Sequence, residues 1–387
     1  MEFKVTDNEL QFTLSGKIDS TNAPAVENEI LKVIEENPKE KIVLDIEDLS
    51  YVSSAGLRIF LKIKKLNANM SIINASLEVY DIFEMTGFTE ILDVKKAYRK
   101  LSVEGLQVIG EGAKGVVYRY NGDSIVKVYK DNNALDDINR ERTLARRAFV
   151  LGLPTCISYD IVKVDGMYGS VFELFDCVSF SEAIAKEPEN LEKFANMFAT
   201  LLKNIHSNVI DDTIIPSVDA MTFKWINGVL EALDEESRKK VQALIDTIEK
   251  KKNLLHMDYH TNNVLYQDGE AVLIDMDTLS YGNPIYELGS FYAGYVGFLS
   301  LDPEGSKKFL HLDLDTIRKF YDIAINKYFE GRDDLELIKK KIEFVGLLRT
   351  HRHTFKIKDK LENYDENIKK VFARIVELAN ELTDLNL

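Results

Sequence analysis

One short stretch limits the folds open to this 387-residue chain more than any other. His256-Met257-Asp258-Tyr259-His260-Thr261-Asn262-Asn263 is an H-x-D-x-x-x-x-N segment, and an apolar run later ends in Ile274-Asp275-Met276-Asp277. Phosphoryl transfer from ATP needs one carboxylate to orient the attacking hydroxyl. It also needs an Asn and a second carboxylate to hold magnesium against the phosphates. Asp258, Asn263 and Asp275 supply those groups in the required order.

What precedes this segment strengthens the reading. Gly110-Glu111-Gly112-Ala113-Lys114-Gly115-Val116-Val117 is G-x-G-x-x-G-x-V. Such glycines could form a dinucleotide turn, but that turn sits between a strand and a helix. Here Leu106 to Ile109 and Val116 to Tyr120 both read as strands, so Gly110, Gly112 and Gly115 belong to a hairpin loop, the arrangement that covers phosphates in kinases. The bland alternative is an ordinary glycine turn. Ile125-Val126-Lys127-Val128-Tyr129 then sets a lysine in an apolar strand, and a buried ammonium needs a partner. A helix starting near Asn139 offers Glu141 in suitable phase, although most charges on such a helix are merely solvated. Ser170 to Phe175 reads as an apolar strand leading to an interlobe hinge, with backbone near Glu173 and Phe175 facing an adenine ring; alone it is equally a core strand. Residues 179 to 255 and those after 314 are largely helical, with charges such as Glu287 and a basic patch at Arg349, His351, Arg352 and His353 available to an acceptor.

Together these pieces resemble the aminoglycoside phosphotransferase and choline kinase branch of the protein-kinase-like fold. That branch shows H-G-D-x-H-x-x-N followed by I-D-x-D, and Met257 stands where it has glycine. The resemblance implies a bilobal α+β domain over 104–387, with an N-lobe over 104–176 and a C-lobe over 177–387. It implies Asp258 as catalytic base, Asn263 and Asp275 as Mg2+ ligands, Asp277 as their support, and Lys127 with Glu141 on the ATP phosphates. A competing metal-hydrolase site built on His256, Asp258 and His260 would need more histidines. His206 is the only other one before residue 311, and it reads as packing, as does His256.

The first hundred residues alternate strands and helices, which implies an α/β layer fold. Leu10 to Ile18, Lys41 to Ile46 and Met70 to Ala75 read as strands. Ala23 to Glu36, a segment from Ser53 to Leu66, and Glu78 to Phe88 read as helices, with a loop over Glu47 to Val52. Asp45-Ile46 through Ser53-Ser54-Ala55-Gly56-Leu57-Arg58, with the later Met85-Thr86-Gly87-Phe88 turn, is similar to a STAS domain, the anti-sigma factor antagonist module of bacterial partner switching. The resemblance implies an α/β domain with a mixed sheet over 1–103, an anti-sigma factor or other STAS-binding protein as partner, and a regulatory phosphoserine falling on Ser54. A helix N-terminus favours a phosphate there; the bland reading is that Ser53 and Ser54 only cap the helix.

Net charge of −15 argues against nucleic acid or an anionic membrane as partner. Two cysteines without metal-ligand spacing, no signal-peptide pattern and no long apolar run suggest a cytoplasmic protein. The expectation is an ATP- and Mg2+-dependent phosphotransferase joined to a STAS module, acting on a small molecule or a STAS serine. The alternative is a non-catalytic regulator whose kinase fold senses nucleotide or ligand. The acceptor itself is not legible.

Overall fold

The computed structural model describes every residue except Ala113, Asn132, Phe175, Asp176, Asp212 and Glu362. The described chain divides into two units, Met1–Ser102 with Ile161–Gly166, and Val103–Asp160 with Met167–Leu387.

In the first unit the strand Glu9–Ile18 alternates inward residues (Leu10, Phe12, Leu14) with half-exposed ones, the period-two pattern of a sheet with one face on a core. It lies between Glu2–Val5, antiparallel, and Lys41–Val52, parallel. Met70–Ala75 and Asp93–Lys96 extend the sheet in parallel, giving five strands in mixed orientation. Helices Ala23–Glu36, Ser54–Leu66 and Leu77–Met85 connect them. Ile30, Phe60, Ile63 and Phe83 from these helices close the core over Phe12, Leu44 and Ile72. Burying one such aromatic or aliphatic side chain contributes roughly 1.5–3 kcal/mol.

One expectation is corrected here. Glu47 to Val52 is not a loop but the second half of the strand Lys41–Val52. Register shifts between Thr13 and Ser15, and between Gly16 and Lys17, break the simple alternation. Leu49 and Val52 still turn inward while Glu47 and Asp48 stay exposed. A bulged strand loses the period that makes a strand readable.

The second unit begins with antiparallel strands in the order Met167–Glu173, Ser124–Tyr129, Gly115–Arg119, Val108–Glu111. The helix Leu135–Val150 starts four residues before Asn139, with Asp136 and Asp137 in its first turn, where acidic groups suit the helix dipole. Thereafter the unit is mainly helical. Phe198 on helix Leu191–Ser207 packs against Tyr259, Phe291 and Phe320 with ring centroids 4.1, 5.2 and 5.1 Å away. A separate cluster gathers Trp225, Phe344 and Ile375. Between the helices, Asn253–Leu255 pairs with Ser280–Gly282, and Val264–Gln267 with Glu270–Leu273. These two small ladders position the chemistry. No described helix is long and apolar enough to cross a membrane.

Candidate active site

The glycine loop is the hairpin between Val108–Glu111 and Gly115–Arg119. Gly110 faces Val117, and Gly112 donates its N–H to the Gly115 carbonyl at 2.9 Å. Gly115 has a steric reason: a Cβ there would lie 2.5 Å from the Val128 carbonyl oxygen of the next strand. Lys114, at the loop tip, reaches both Asp277 and Asp275, the latter at 3.8 Å.

Lys127 sits on the central strand between Val117 and Ser170. Its Nζ lies 3.5 Å from Glu141 Oε1, both side chains being largely buried. Tyr129 donates to the other Glu141 oxygen at 3.4 Å. Burial raises the Glu141 pKa, opposed by the Lys127 charge. Glu173 ends its strand, exposed and opposite Ser124. Phe175 lies outside the described residues.

The segment His256–Asn263 leaves strand Asn253–Leu255 under tight control from one acid. Glu287, 1 % exposed, accepts the backbone N–H of His256 at 3.0 Å and that of Met257. It is also 2.8 Å from His206 Nε2, and the other nitrogen of that ring meets Tyr328 Oη at 2.7 Å. The expectation that Glu287 serves an acceptor surface is therefore corrected; it is a buried clamp on the loop. Met257 has φ +67°, the left-handed region where glycine is at ease, and its buried side chain fills core space. His256 Nε2 lies 3.2 Å from the Ile274 carbonyl, a structural tie. Among the described residues no group of three or more His, Cys, Asp or Glu is arranged to hold a metal.

The segment closes on itself. Asn263 Nδ2 donates to the Asp258 carbonyl at 2.9 Å and to its carboxylate at 3.3 Å. His260 Nε2 stands 3.7 Å from the same carboxylate. Burial alone would raise the Asp258 pKa, but the bond to His260 and the charges of His260, His256 and Arg349 bring it down to about 2. Asp258 is thus ionised and acceptor-only at neutral pH. The hairpin Val264–Gln267/Glu270–Leu273 pairs Val264 with Leu273 across an Asp268-Gly269 turn, both turn residues having positive φ. That register ties the backbone just before Asp275 to Asn263: Ile274 N–H donates to the Asn263 carbonyl at 3.1 Å. Asp275 Oδ1 is buried with no hydrogen-bond partner. A carboxylate oxygen that accepts no hydrogen bond and faces only the Lys114 ammonium, together with a carboxamide, is the oxygen donor chemistry a magnesium ion takes, completed by phosphates and water. The residues fit that ion.

A cavity of about 380 Å³ opens beside Asp258. Its wall includes Tyr295, Phe298, Phe309, Ser290, Ser306 and Arg349. Gly294 and Tyr295 come from a π-helical turn, Ala293–Gly297, and Tyr295 Oη accepts the Thr261 N–H at 2.9 Å, tying this wall to the segment His256–Asn263. The basic patch expected at 349–353 is not a patch. Arg349 stacks on Trp225, 4.7 Å from the ring centroid, and lines the cavity. His351 turns away, 3.1 Å from the Gly228 carbonyl, and His353 packs on Phe298 at 4.2 Å. The helix Leu335–Lys356 is buried on nearly every side, so its sequence carries no amphipathic phase that would place Arg349.

A strand sheet carrying a glycine hairpin, a mainly helical remainder and an ionised acid lining a cavity make up a kinase-like α+β domain. Family models agree: one described as "Phosphotransferase enzyme family" matches residues 105–315, and one described as "STAS domain" matches residues 1–102. The chain belongs to the phosphotransferase enzyme family and carries a STAS domain over its first 102 residues. The STAS region is 28% identical to the anti-sigma-B factor antagonist of Bacillus subtilis over 98 residues, 24% of this chain and 88% of that protein. It is 30% identical over 92 residues to BtrV of Bordetella bronchiseptica, named as an anti-sigma factor antagonist, covering 23% of this chain and 78% of that one. Similar solved structures include ADP-bound aminoglycoside phosphotransferase APH(2'')-Ib, with 15% identity, TM-score 0.47, and coverage of 71% of this chain and 94% of that one. A choline/ethanolamine kinase family protein from Mesorhizobium loti shares 14% identity, TM-score 0.44, covering 70% and 87%.

Proposed function

We propose that the second domain transfers the γ-phosphoryl group of ATP to an alcohol. The observation that carries this reading is the ionised Asp258, held by Asn263 and His260 and lining a cavity of about 380 Å³. Asp258 accepts the proton of the alcohol. The alcohol oxygen forms a bond to the γ-phosphorus as the bond to the bridging oxygen breaks, and ADP leaves. Lys127, held by Glu141, grips the α- and β-phosphates, and the Gly110–Gly115 hairpin covers them. Glu173 borders the adenine site. Asn263 and Asp275 would hold Mg2+, with Asp277 beside them; when bound, the ion neutralises charge on the β- and γ-phosphates. Lys114 occupies that acidic corner and withdraws as nucleotide enters.

For the STAS domain we read Ser54 as a regulatory phosphosite and an anti-sigma factor or similar regulator as the partner. One observation favours it over simple capping. Ser53 is the helix N-cap and accepts the Gly56 N–H, whereas Ser54 is exposed, and its hydroxyl makes no hydrogen bond among the described residues. Arg58, whose Nε donates to the Ser54 carbonyl at 3.2 Å, stands ready to pair with a phosphate.

ADP release and intact protein mass, measured together with Mg2+ and ATP, test both readings. Asp258→Asn should lose turnover by about 10³-fold or more while still binding ATP, and Lys127→Met should weaken nucleotide binding. Full turnover in Asp258→Asn would overturn the assigned base. Phosphate on Ser54 that disappears in Asp258→Asn would make the chain its own STAS kinase. Nucleotide binding with no transfer to any alcohol or serine would leave a nucleotide sensor.

A further inference from the structure

The cavity beside Asp258 carries information about its occupant. Arg349 is partly buried, yet its guanidinium makes no hydrogen bond and no ion pair within 4 Å among the described residues; it stacks on the Trp225 ring, and its charge acts on Asp258. Two further wall residues are in the same condition. Ser306 Oγ and Ser290 Oγ are buried with no hydrogen-bond partner. His260 Nδ1, also lining the cavity, is a fourth unsatisfied polar group. Buried polar groups are normally paired, and an unpaired buried cation is costly. Three separate helices bring these donors to one wall: Ile285–Tyr292 supplies Ser290, Pro303–Leu310 supplies Ser306, and Leu335–Lys356 supplies Arg349.

The acids of the same cavity are already engaged. Asp302 caps helix Pro303–Leu310, accepting the Gly305 N–H at 2.9 Å. Asp258 is held by Asn263 and His260. A cationic alcohol would have to be buried beside the Arg349 guanidinium, whereas an anion would meet a guanidinium fork and two hydroxyls. The aromatic faces of Phe298, Phe309 and Tyr295 would enclose a short carbon backbone.

We propose that the phosphoryl acceptor is a small alcohol carrying a carboxylate or phosphate, whose anionic end is bound by Arg349 with Ser290 and Ser306 while its hydroxyl faces Asp258. This deepens the phosphotransferase reading and rests on it for the position of the hydroxyl. Arg349 and Asp258 line the same cavity and their charges act on one another, so one small molecule can meet both. A cavity of about 380 Å³ with an open mouth has room for a free small molecule.

A matched set of three-carbon probes tests this on the full chain by calorimetry in the presence of MgADP: 3-hydroxypropanoate, 3-hydroxypropyl phosphate, 1,3-propanediol and 3-aminopropan-1-ol. The two anions should bind about tenfold or more tighter than the diol, and the better of the two identifies the anionic group. Arg349→Gln should weaken anion binding by about 10- to 100-fold, with MgADP affinity unchanged. Arg349→Lys and Ser306→Ala cover a failure of Arg349→Gln to fold, and each should weaken the anion while leaving the diol unaltered. Tighter binding of the amine, equal anion binding in wild type and Arg349→Gln, or no binding by any probe would overturn the proposal. Anion binding without phosphoryl transfer would keep the pocket assignment and defeat the phosphotransferase reading instead.

Discussion

At the scale of single residues, Glu287 decides more than its position in sequence suggests. It is a buried acid whose two oxygens take two backbone N–H groups and face an imidazole, and these bonds set the start of the catalytic segment. A glutamine there has one accepting oxygen and would turn an N–H₂ toward groups that are themselves donors. Glu287→Gln should cost about 2 kcal/mol, the penalty for a buried donor left unpaired. Thermal denaturation should show the loss, with turnover falling while nucleotide affinity is retained. An unchanged melting temperature and rate would mean that the loop holds its shape without the clamp. Met257 belongs to the same account. Its backbone is left-handed, at φ +67°, a conformation in which glycine is at ease, and this chain accepts the strain of a side chain that fills the core.

At the scale of elements, the helix Ser54–Leu66 separates capping from regulation. Gly56 lets the helix lie close on the sheet, since a Cβ would come within 2.6 Å of Val52 and 2.8 Å of Ile18. Ser53 satisfies a free N–H of the first turn, and Ser54 does not. Ser53→Ala should therefore destabilise the helix by about 1 kcal/mol, while Ser54→Ala should stay within about 0.5 kcal/mol. Amide hydrogen exchange across residues 54–66 of the full chain reads both; equal loss of protection in the two variants would mean that both serines cap. The hairpin Val264–Gln267/Glu270–Leu273 makes a related point. Its register, fixed by a two-residue turn, ties Asn263 to the backbone just before Asp275. Sequence order alone sufficed to pair them because the connection is so short.

At the scale of the whole molecule, legibility follows contiguity. Both domains announced themselves through local motifs whose residues lie within a turn or a hairpin of each other, so the mixed-sheet α/β domain and the kinase-like α+β domain were readable. The acceptor cavity was not. Its wall joins residues near 258, 290, 306 and 349, brought together only by helix packing. Arg349 looked like part of a surface patch because its helix is buried nearly all round, which removes the polar face that would set its orientation. Lys114 passed as a loop residue until its contact with Asp275 and Asp277 appeared. The central claim concerns where the γ-phosphoryl goes. Phosphorus NMR of the full chain with MgATP and a pool of small neutral, anionic and cationic alcohols follows it directly. The expected result is a new small-molecule phosphate ester growing as ATP falls, drawn from the anionic alcohols and absent with Asp258→Asn. ATP that stays intact, or yields only inorganic phosphate at the same rate in wild type and Asp258→Asn, would contradict it.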